Sequence, residues 1–243
     1  MRESHVASYL LVHGSWHGAW CWEKLICRLR DCGHEVTAVD LPAHGEDRSS
    51  PLRASLGSYS KRIQGAVERC AEKPILVGHS MGGVAITMAA LDAPGAVSAL
   101  IYVCAFVPLP GESLMDLVRQ DRASLIADSA SFRPSGIRIR PENAKQLFYD
   151  CCSSADATWA TERLRPDPWL PLFQRLPARS LPVMPRGYIE CTEDKSISVD
   201  RQRTMAGRIP FDEVATLETD HSPFLSAPDL LAQGLDDMSR LST

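Results

Sequence analysis

No stretch of this 243-residue chain approaches the roughly 20 consecutive apolar residues that a membrane-spanning helix needs. The first residues, Met1-Arg2-Glu3-Ser4-His5, lack the apolar core of a secretory signal, so the expected location is the cytoplasm and no membrane partner is expected. Positive charge is not in excess: 26 Lys and Arg against 30 Asp and Glu leave a net charge of −4 and a pI near 6.0. That balance offers no basic face to nucleic acid and no polybasic anchor to anionic lipid, which leaves a small molecule as the expected partner. No CxxC pair occurs among Cys21, Cys27, Cys32, Cys70, Cys104, Cys151, Cys152 and Cys191. Scattered through a domain of this size, they read as free thiols in a reducing compartment rather than a disulfide framework. Cys151-Cys152 has no second ligand cluster to make a metal or redox site. No internal repeat or low-complexity segment interrupts the chain, and 44% hydrophobic content is enough for one large core.

What is present is an alternation of strand and helix patterns. Tyr9-Leu10-Leu11-Val12 is β-rich, and Trp22, Leu25, Ile26 and Leu29 then recur at helical spacing. Gly33 suits a helix C-terminal cap, and Val36-Thr37-Ala38-Val39 reads as the next strand. Further helices are expected over 58–71 and 83–92, around 199–208 and at the C-terminus, with strands over 74–79, at Ala99–Cys104, at Tyr188–Cys191 and around 213–218. Ser226 and Asp229 read as a capping pair for the last helix, with Pro228 in its first turn. This order predicts an α/β chain with a parallel sheet of about six strands flanked by helices. Only a few residues precede the first strand, so no antiparallel hairpin is expected ahead of it. Residues 108–182 break the rhythm with nine prolines and with helical patterns at 111–127 and 141–163. They read as a helical cap inserted between core strands, with 1–107 and 183–243 as the core.

Gly78-His79-Ser80-Met81-Gly82 lies between the apolar run Pro74-Ile75-Leu76-Val77 and a stretch of small residues. That is the layout of a nucleophile elbow, in which a strained strand-to-helix turn exposes a serine hydroxyl and the first helical amide faces the substrate. Such a serine needs a base. His5 lies in a tail, His34 near a helix end, and His13, His17 and His44 in early loops, while His79 should project away from the hydroxyl. His13 and His17 have a zinc-like spacing, but they straddle a loop, where packing and hydrogen bonding are the expected roles. His221, beyond the last strand, stands at the rim where strand ends meet and suits the chain order Ser, acid, His. For the acid, spacing leaves Glu193 and Asp194 nearly tied, whereas Asp220 adjoins His221 and orients poorly.

The stretch from Val12-His13-Gly14-Ser15-Trp16-His17-Gly18 to Asp40-Leu41 resembles the start of the α/β-hydrolase group that holds plant methylesterases, salicylic-acid-binding protein 2 and hydroxynitrile lyases. Gly78-His79-Ser80-Met81-Gly82-Gly83, Cys191-Thr192-Glu193-Asp194-Lys195 and Asp220-His221 follow in the same order. The resemblance implies an α/β-hydrolase fold, a triad of Ser80, Asp194 and His221, and an oxyanion hole from the amides of Ser15 and Met81. Ser15-Trp16 replaces the Ala-Cys common in the plant enzymes. The implied chemistry is acyl transfer through a covalent intermediate, with no cofactor and no metal, and the implied assembly is a homodimer. Lyases of this group carry a threonine and a lysine where this chain has Gly14 and Ser222, so hydroxynitrile lysis lacks its cation. A ligand-binding protein that keeps the fold with vestigial esterase activity is the reading from another class. In the cap, Phe148, Tyr149, Trp159, Trp169 and Phe173 are expected mostly to form its own core. Phe106 and Trp159 are expected to line the substrate pocket, which would favour small, largely apolar esters.

Overall fold

The strands at Ile75–His79 and Ala99–Val103 show no polar alternation, and every residue in them is buried, as strands covered on both faces must be. The computed structural model describes residues 6–242, so His5 lies outside the described residues. In chain order β1 (Ser8–Val12), α1 (Glu23–Asp31), β2 (Glu35–Val39), α2 (Leu56–Val67), β3 (Ile75–His79), α3 (Gly82–Asp92) and β4 (Ala99–Val103) build the first part of the core. An insertion follows, with α4 (Leu114–Val118), α5 (Ile126–Ser129), β5 (Ala130–Arg133), β6 (Gly136–Ile139), α6 (Pro141–Phe148), α7 (Ser154–Thr161) and α8 (Trp169–Phe173). The core resumes with β7 (Arg186–Cys191), α9 (Val199–Ala206), β8 (Glu213–Leu217), α10 (Pro223–Ser226) and α11 (Pro228–Asp237).

The sheet has six parallel strands in the order β2-β1-β3-β4-β7-β8. The chain runs outward from β1 to β2 and then returns to β3 on the other side of β1, so the β1/β3 boundary is the topological switch point. In open parallel sheets the crevice above that boundary is where ligands bind. Helix α1 turns Leu25 and Leu29 inward and packs on α11, while α2 packs on α3. Hydrogen bonding continues past the strand ends: Thr192 N donates to Leu217 O at 3.0 Å and Glu193 N to Thr219 O at 3.0 Å. The loops after β7 and β8 are thereby zipped together.

Two local features differ from the sequence expectation. The insertion is not wholly helical, because β5 and β6 pair as an antiparallel hairpin. Ser226 does not cap α11: Ala227 holds that position without a side-chain bond, and the Ser226 hydroxyl donates instead to Asp220 Oδ1 at 2.8 Å. A buried carboxylate outcompeted the exposed helix amides for that hydroxyl.

Candidate active site

Ser15, Ser80, Met81, Phe106, Asp194 and His221 all lie in loops just beyond the C-terminal ends of β1, β3, β4, β7 and β8. The turn after β3 forces Ser80 to φ +54°, a left-handed conformation that costs energy for any residue with a Cβ. Close approach explains the two flanking glycines. A Cβ on Gly78 would stand 2.7 Å from Gly82 O, and one on Gly82 would stand 2.6 Å from Val12 O. The strained turn is pinned by Ser80 N donating to Val103 O at 3.3 Å and by Ser80 O accepting from Phe106 N at 3.1 Å.

His221 Nδ1 donates to Asp194 Oδ2 at 2.7 Å, and both side chains are almost fully buried. Asp194 Oδ1 accepts from the amides of Ser196 at 2.7 Å and Ile197 at 2.8 Å. Gln202 Nε2 donates to Asp194 Oδ2 at 3.2 Å and also to Ile197 O at 2.8 Å. Glu193 is exposed, with only the Thr192 hydroxyl at 3.5 Å. Of the two acids left tied by spacing, Asp194 is therefore the one that meets His221. Ser80 and His221 do not stand at a solvent-facing rim but are buried, at 4% and 1% exposure, beneath the insertion. Among the described residues the Ser80 hydroxyl makes no hydrogen bond, and catalytic contacts of this kind often tighten only when substrate is bound.

His79, next to the serine, packs against His221 and holds its backbone. Its Nε2–H donates to the His221 carbonyl at 2.8 Å, and the two rings lie 4.6 Å apart. Burial, followed by the His221 charge, pushes the His79 pKa well below its usual value. A neutral ring there places no second positive charge beside His221. Cys104 Sγ also faces the His221 carbonyl, at 3.5 Å. Potential metal-ligand atoms of His79, Cys104 and His221 fall within 4.8 Å of one another, but burial keeps the Cys104 thiol protonated and the His79 Nε2 proton faces a carbonyl. That donor set suits hydrogen bonding better than a cation.

The loop after β1 is held in a similar way. His13 Nδ1 donates to Gly14 O at 2.8 Å, and His17 Nδ1 to Ser15 O at 2.7 Å. Burial lowers the His17 pKa to about 4, so its Nε2 is free to accept from the Tyr149 hydroxyl at 2.8 Å. Trp16 sits at φ +62°, a costly conformation for an aromatic residue. The insertion fixes it: Trp16 N donates to Asp167 Oδ1 at 2.7 Å, Trp16 O accepts from Arg165 N at 2.9 Å, and its indole N–H donates to Ile137 O at 2.9 Å. Neither the Ser15 amide nor the Met81 amide has a partner among the turn and loop hydrogen bonds of the described residues.

A cavity of about 250 Å³ opens on Ser80, Ser15 and Trp16. Its walls are mostly apolar and include Phe106, Leu114, Met115, Val118 and Leu172. Phe106 lines this cavity, whereas Trp159 does not. Helix α7 turns Trp159 onto Trp20, with ring centroids 5.2 Å apart, and the Arg163 guanidinium sits 4.3 Å above its ring. Large aromatic surface calls for burial, and Trp159, half-buried, finds it against Trp20 of the loop after β1. Trp159→Ala is accordingly expected to leave the acyl-group preference unchanged and to cost about 1–2 kcal/mol of stability, measured by ester profiles and thermal melts.

Sequence reasoning did not single out Gln202 or Asp167, and it left Phe148 in the cap's own core. Phe148 packs 5.6 Å from the rings of both Trp16 and His221. The only trace of Asp167 in the sequence is its pair of flanking prolines, which stiffen an extended segment. Gln202 carries no signal, being one polar residue on a polar helix. Its buried amide also accepts from Cys191 N at 3.0 Å, so it braces the whole turn that carries Asp194. Gln202→Leu is expected to cost about 1–3 kcal/mol of stability. It should lower kcat about tenfold with a smaller change in KM, as for a group that positions the acid without touching substrate.

Comparison with known proteins agrees with this architecture. The model of the alpha/beta hydrolase family matches residues 9–233. Methyl jasmonate esterase 1 of Vitis vinifera is 33% identical over 255 residues, covering 95% of each chain. Methylesterase 7 of Arabidopsis thaliana is 32% identical over 248 residues, again covering 95% of each chain. A chloroplastic relative from Arabidopsis thaliana, 31% identical over 250 residues, is longer, and the chain spans 64% of it. Among solved structures, polyneuridine aldehyde esterase superposes with a TM-score of 0.83 at 29% identity, covering 97% of this chain and 100% of that one. With the match spanning nearly the whole sheet and its loops, the chain belongs to the alpha/beta hydrolase family.

Proposed function

We propose that the chain is a carboxylic ester hydrolase acting on small, largely apolar esters through Ser80, His221 and Asp194. The observation that carries this reading is the buried Asp194–His221 hydrogen bond of 2.7 Å, set beside a strained serine that opens on an apolar cavity. In this mechanism Ser80 Oγ attacks the ester carbonyl while His221 Nε2 takes its proton. Asp194, holding Nδ1–H, keeps the base in the right tautomer and balances the imidazolium. The amides of Ser15 and Met81 receive the oxyanion, where one such donor is typically worth about 2.7–4 kcal/mol. His221 then protonates the leaving alcohol, and water repeats the sequence on the acyl-enzyme.

Support for an ester substrate also comes from the relatives, which bear the names methylesterase and methyl jasmonate esterase. A cavity of about 250 Å³ lies at the small end of ligand sites and favours short or compact acyl groups. No helix among the described residues is long and apolar enough to cross a membrane. Free cysteines throughout the chain support a reducing compartment such as the cytoplasm. The test is a panel of methyl and p-nitrophenyl esters with acyl groups of graded size. Preference should rise by about 1–3 kcal/mol per methylene that fits and collapse once the cavity is full. An optimum on long-chain or strongly charged esters, or an ester that binds and is never consumed, contradicts the proposal.

A further inference from the structure

Ser15 carries a hydroxyl where the plant enzymes commonly have alanine. The loop around it commits its other polar groups. Gly14 O accepts from His13 Nδ1 at 2.8 Å and Ser15 O from His17 Nδ1 at 2.7 Å. Trp16 N donates to Asp167 Oδ1 at 2.7 Å, and Trp16 O accepts from Arg165 N at 2.9 Å. Like its amide, the Ser15 hydroxyl makes no hydrogen bond among the described residues. Nor is it sealed in. Ser98, Ser196 and Ser222 hold hydroxyl oxygens that are buried without a partner, and Ser15 is not of that kind, so its Oγ keeps accessible surface. Ser15 is only 6% exposed in all, and it lines the cavity that opens on Ser80. The loop also rests on the nucleophile: a Cβ on Gly14 would stand 2.7 Å from Ser80 Cβ.

We propose that the Ser15 side-chain hydroxyl is a third donor to the oxyanion, beside the amides of Ser15 and Met81, and so a catalytic residue in its own right. This rests on the hydrolase reading above and adds to the machinery of that site. Within one serine the amide nitrogen and Oγ are three bonds apart, roughly 3 Å in a gauche rotamer, so an oxygen that accepts from the amide lies within reach of the hydroxyl. The donor acts on the transition state more than on the bound ester. A neutral ester carbonyl is a modest acceptor, and cavity water serves the hydroxyl about as well before reaction. The tetrahedral intermediate puts a negative charge on the same oxygen. A hydroxyl donating to it then makes a charge-assisted bond roughly twice as strong as a neutral one, within walls that are mostly apolar. Bonds to His13, His17, Asp167 and Arg165 hold the backbone on both sides of Ser15, so the loop needs no rearrangement when the charge forms. Acylation and deacylation both pass through this oxyanion, and loss of the donor therefore lowers kcat whichever step limits it.

The experiment compares Ser15→Ala with the wild type on methyl butanoate, and measures inhibition of each by 1,1,1-trifluoropentan-2-one and by pentan-2-one. The trifluoro ketone takes Ser80 Oγ at its carbonyl carbon, the serine proton passes to His221, and the carbonyl oxygen becomes an oxyanion. The plain ketone binds without reacting and reports the ground state. In Ser15→Ala kcat is expected to fall about 10–100-fold while KM stays within about threefold. The inhibition constant of the trifluoro ketone should weaken by a similar factor, with that of pentan-2-one unchanged. Fluorine NMR of the adduct gives a readout without turnover, because an oxyanion with one donor fewer takes up its proton at a higher pH. Thermal melts should coincide, since the hydroxyl that is removed has no partner to lose. A kcat within about twofold of the wild type, or equal weakening of the two ketones, overturns the third donor and leaves the hydrolase reading standing. If the wild type consumes no ester and forms no adduct with the trifluoro ketone, the hydrolase reading falls and this inference falls with it.

Discussion

Ser80→Ala is expected to lower kcat/KM by about 10⁴-fold or more on any ester the wild type consumes, with no loss of thermal stability. The two halves of this expectation have separate causes. Removing the hydroxyl removes the nucleophile, while the free amides of Ser15 and Met81 and the cavity stay in place to give whatever residual rate they support. Stability is spared because that hydroxyl makes no hydrogen bond among the described residues, and the φ of +54° strains alanine as much as serine. His221→Ala should match the kinetic loss but behave differently on heating. It withdraws a donor from buried Asp194 and a ring from Phe148, a change worth about 1–3 kcal/mol. Steady-state kinetics and thermal melts on the two variants check both halves. Near-wild-type turnover in either would remove that residue from the chemistry.

The insertion is part of this site rather than a cover laid over it. Trp16, directly after Ser15 and in a left-handed conformation, is bonded to Asp167, Arg165 and Ile137. Asp220, next to the proposed base, accepts from the Cys151 amide of the insertion at 2.8 Å and from Ser222 N at 3.0 Å. Burial raises the Asp220 pKa, yet four donors, the Cys152 thiol among them, surround its carboxylate and hold the loop that carries His221. Both ends of the proposed catalytic arrangement are thus fastened to residues between β4 and β7.

What could be read from the sequence follows from how local the cause is. The elbow around Ser80 is written in five consecutive residues, because the turn's steric demands fall on its immediate neighbours. Strands β3 and β4 are legible because double-sided burial leaves an unbroken apolar run. Trp159 misled for the opposite reason: size and hydrophobicity say that a ring is buried, but not against what, and Trp20 rather than Ser80 proved to be its neighbour. Other residues of the cavity wall, Leu114, Met115, Val118 and Leu172, are unbranched or aliphatic side chains that no pattern separates from ordinary core. Asp167 and His44 stand 123 positions apart, and only the folded insertion reveals them as a pair.

Asp194→Asn is expected to cost about 10⁴-fold in kcat, whereas Glu193→Gln should change it by less than about twofold. Spacing along the chain did not separate these acids, but their hydrogen bonds do. All four groups that approach Asp194 are donors: the amides of Ser196 and Ile197 on Oδ1, and His221 Nδ1–H and Gln202 Nε2–H on Oδ2. An asparagine must present its own N–H₂ to one of these pairs. If it turns toward His221, the ring is driven to the tautomer with its proton on Nε2, which cannot take a proton from Ser80. If it turns the other way, two backbone donors face an amide nitrogen, and the turn that Gln202 braces loses about 1–3 kcal/mol. Either orientation harms activity, stability or both. Glu193, exposed and touched only by the Thr192 hydroxyl, has no such constraint. Kinetics and melts on the two variants, made side by side, separate these outcomes. A Glu193→Gln loss exceeding that of Asp194→Asn would transfer the orienting role to Glu193 and require the loop after β7 to rearrange when substrate binds.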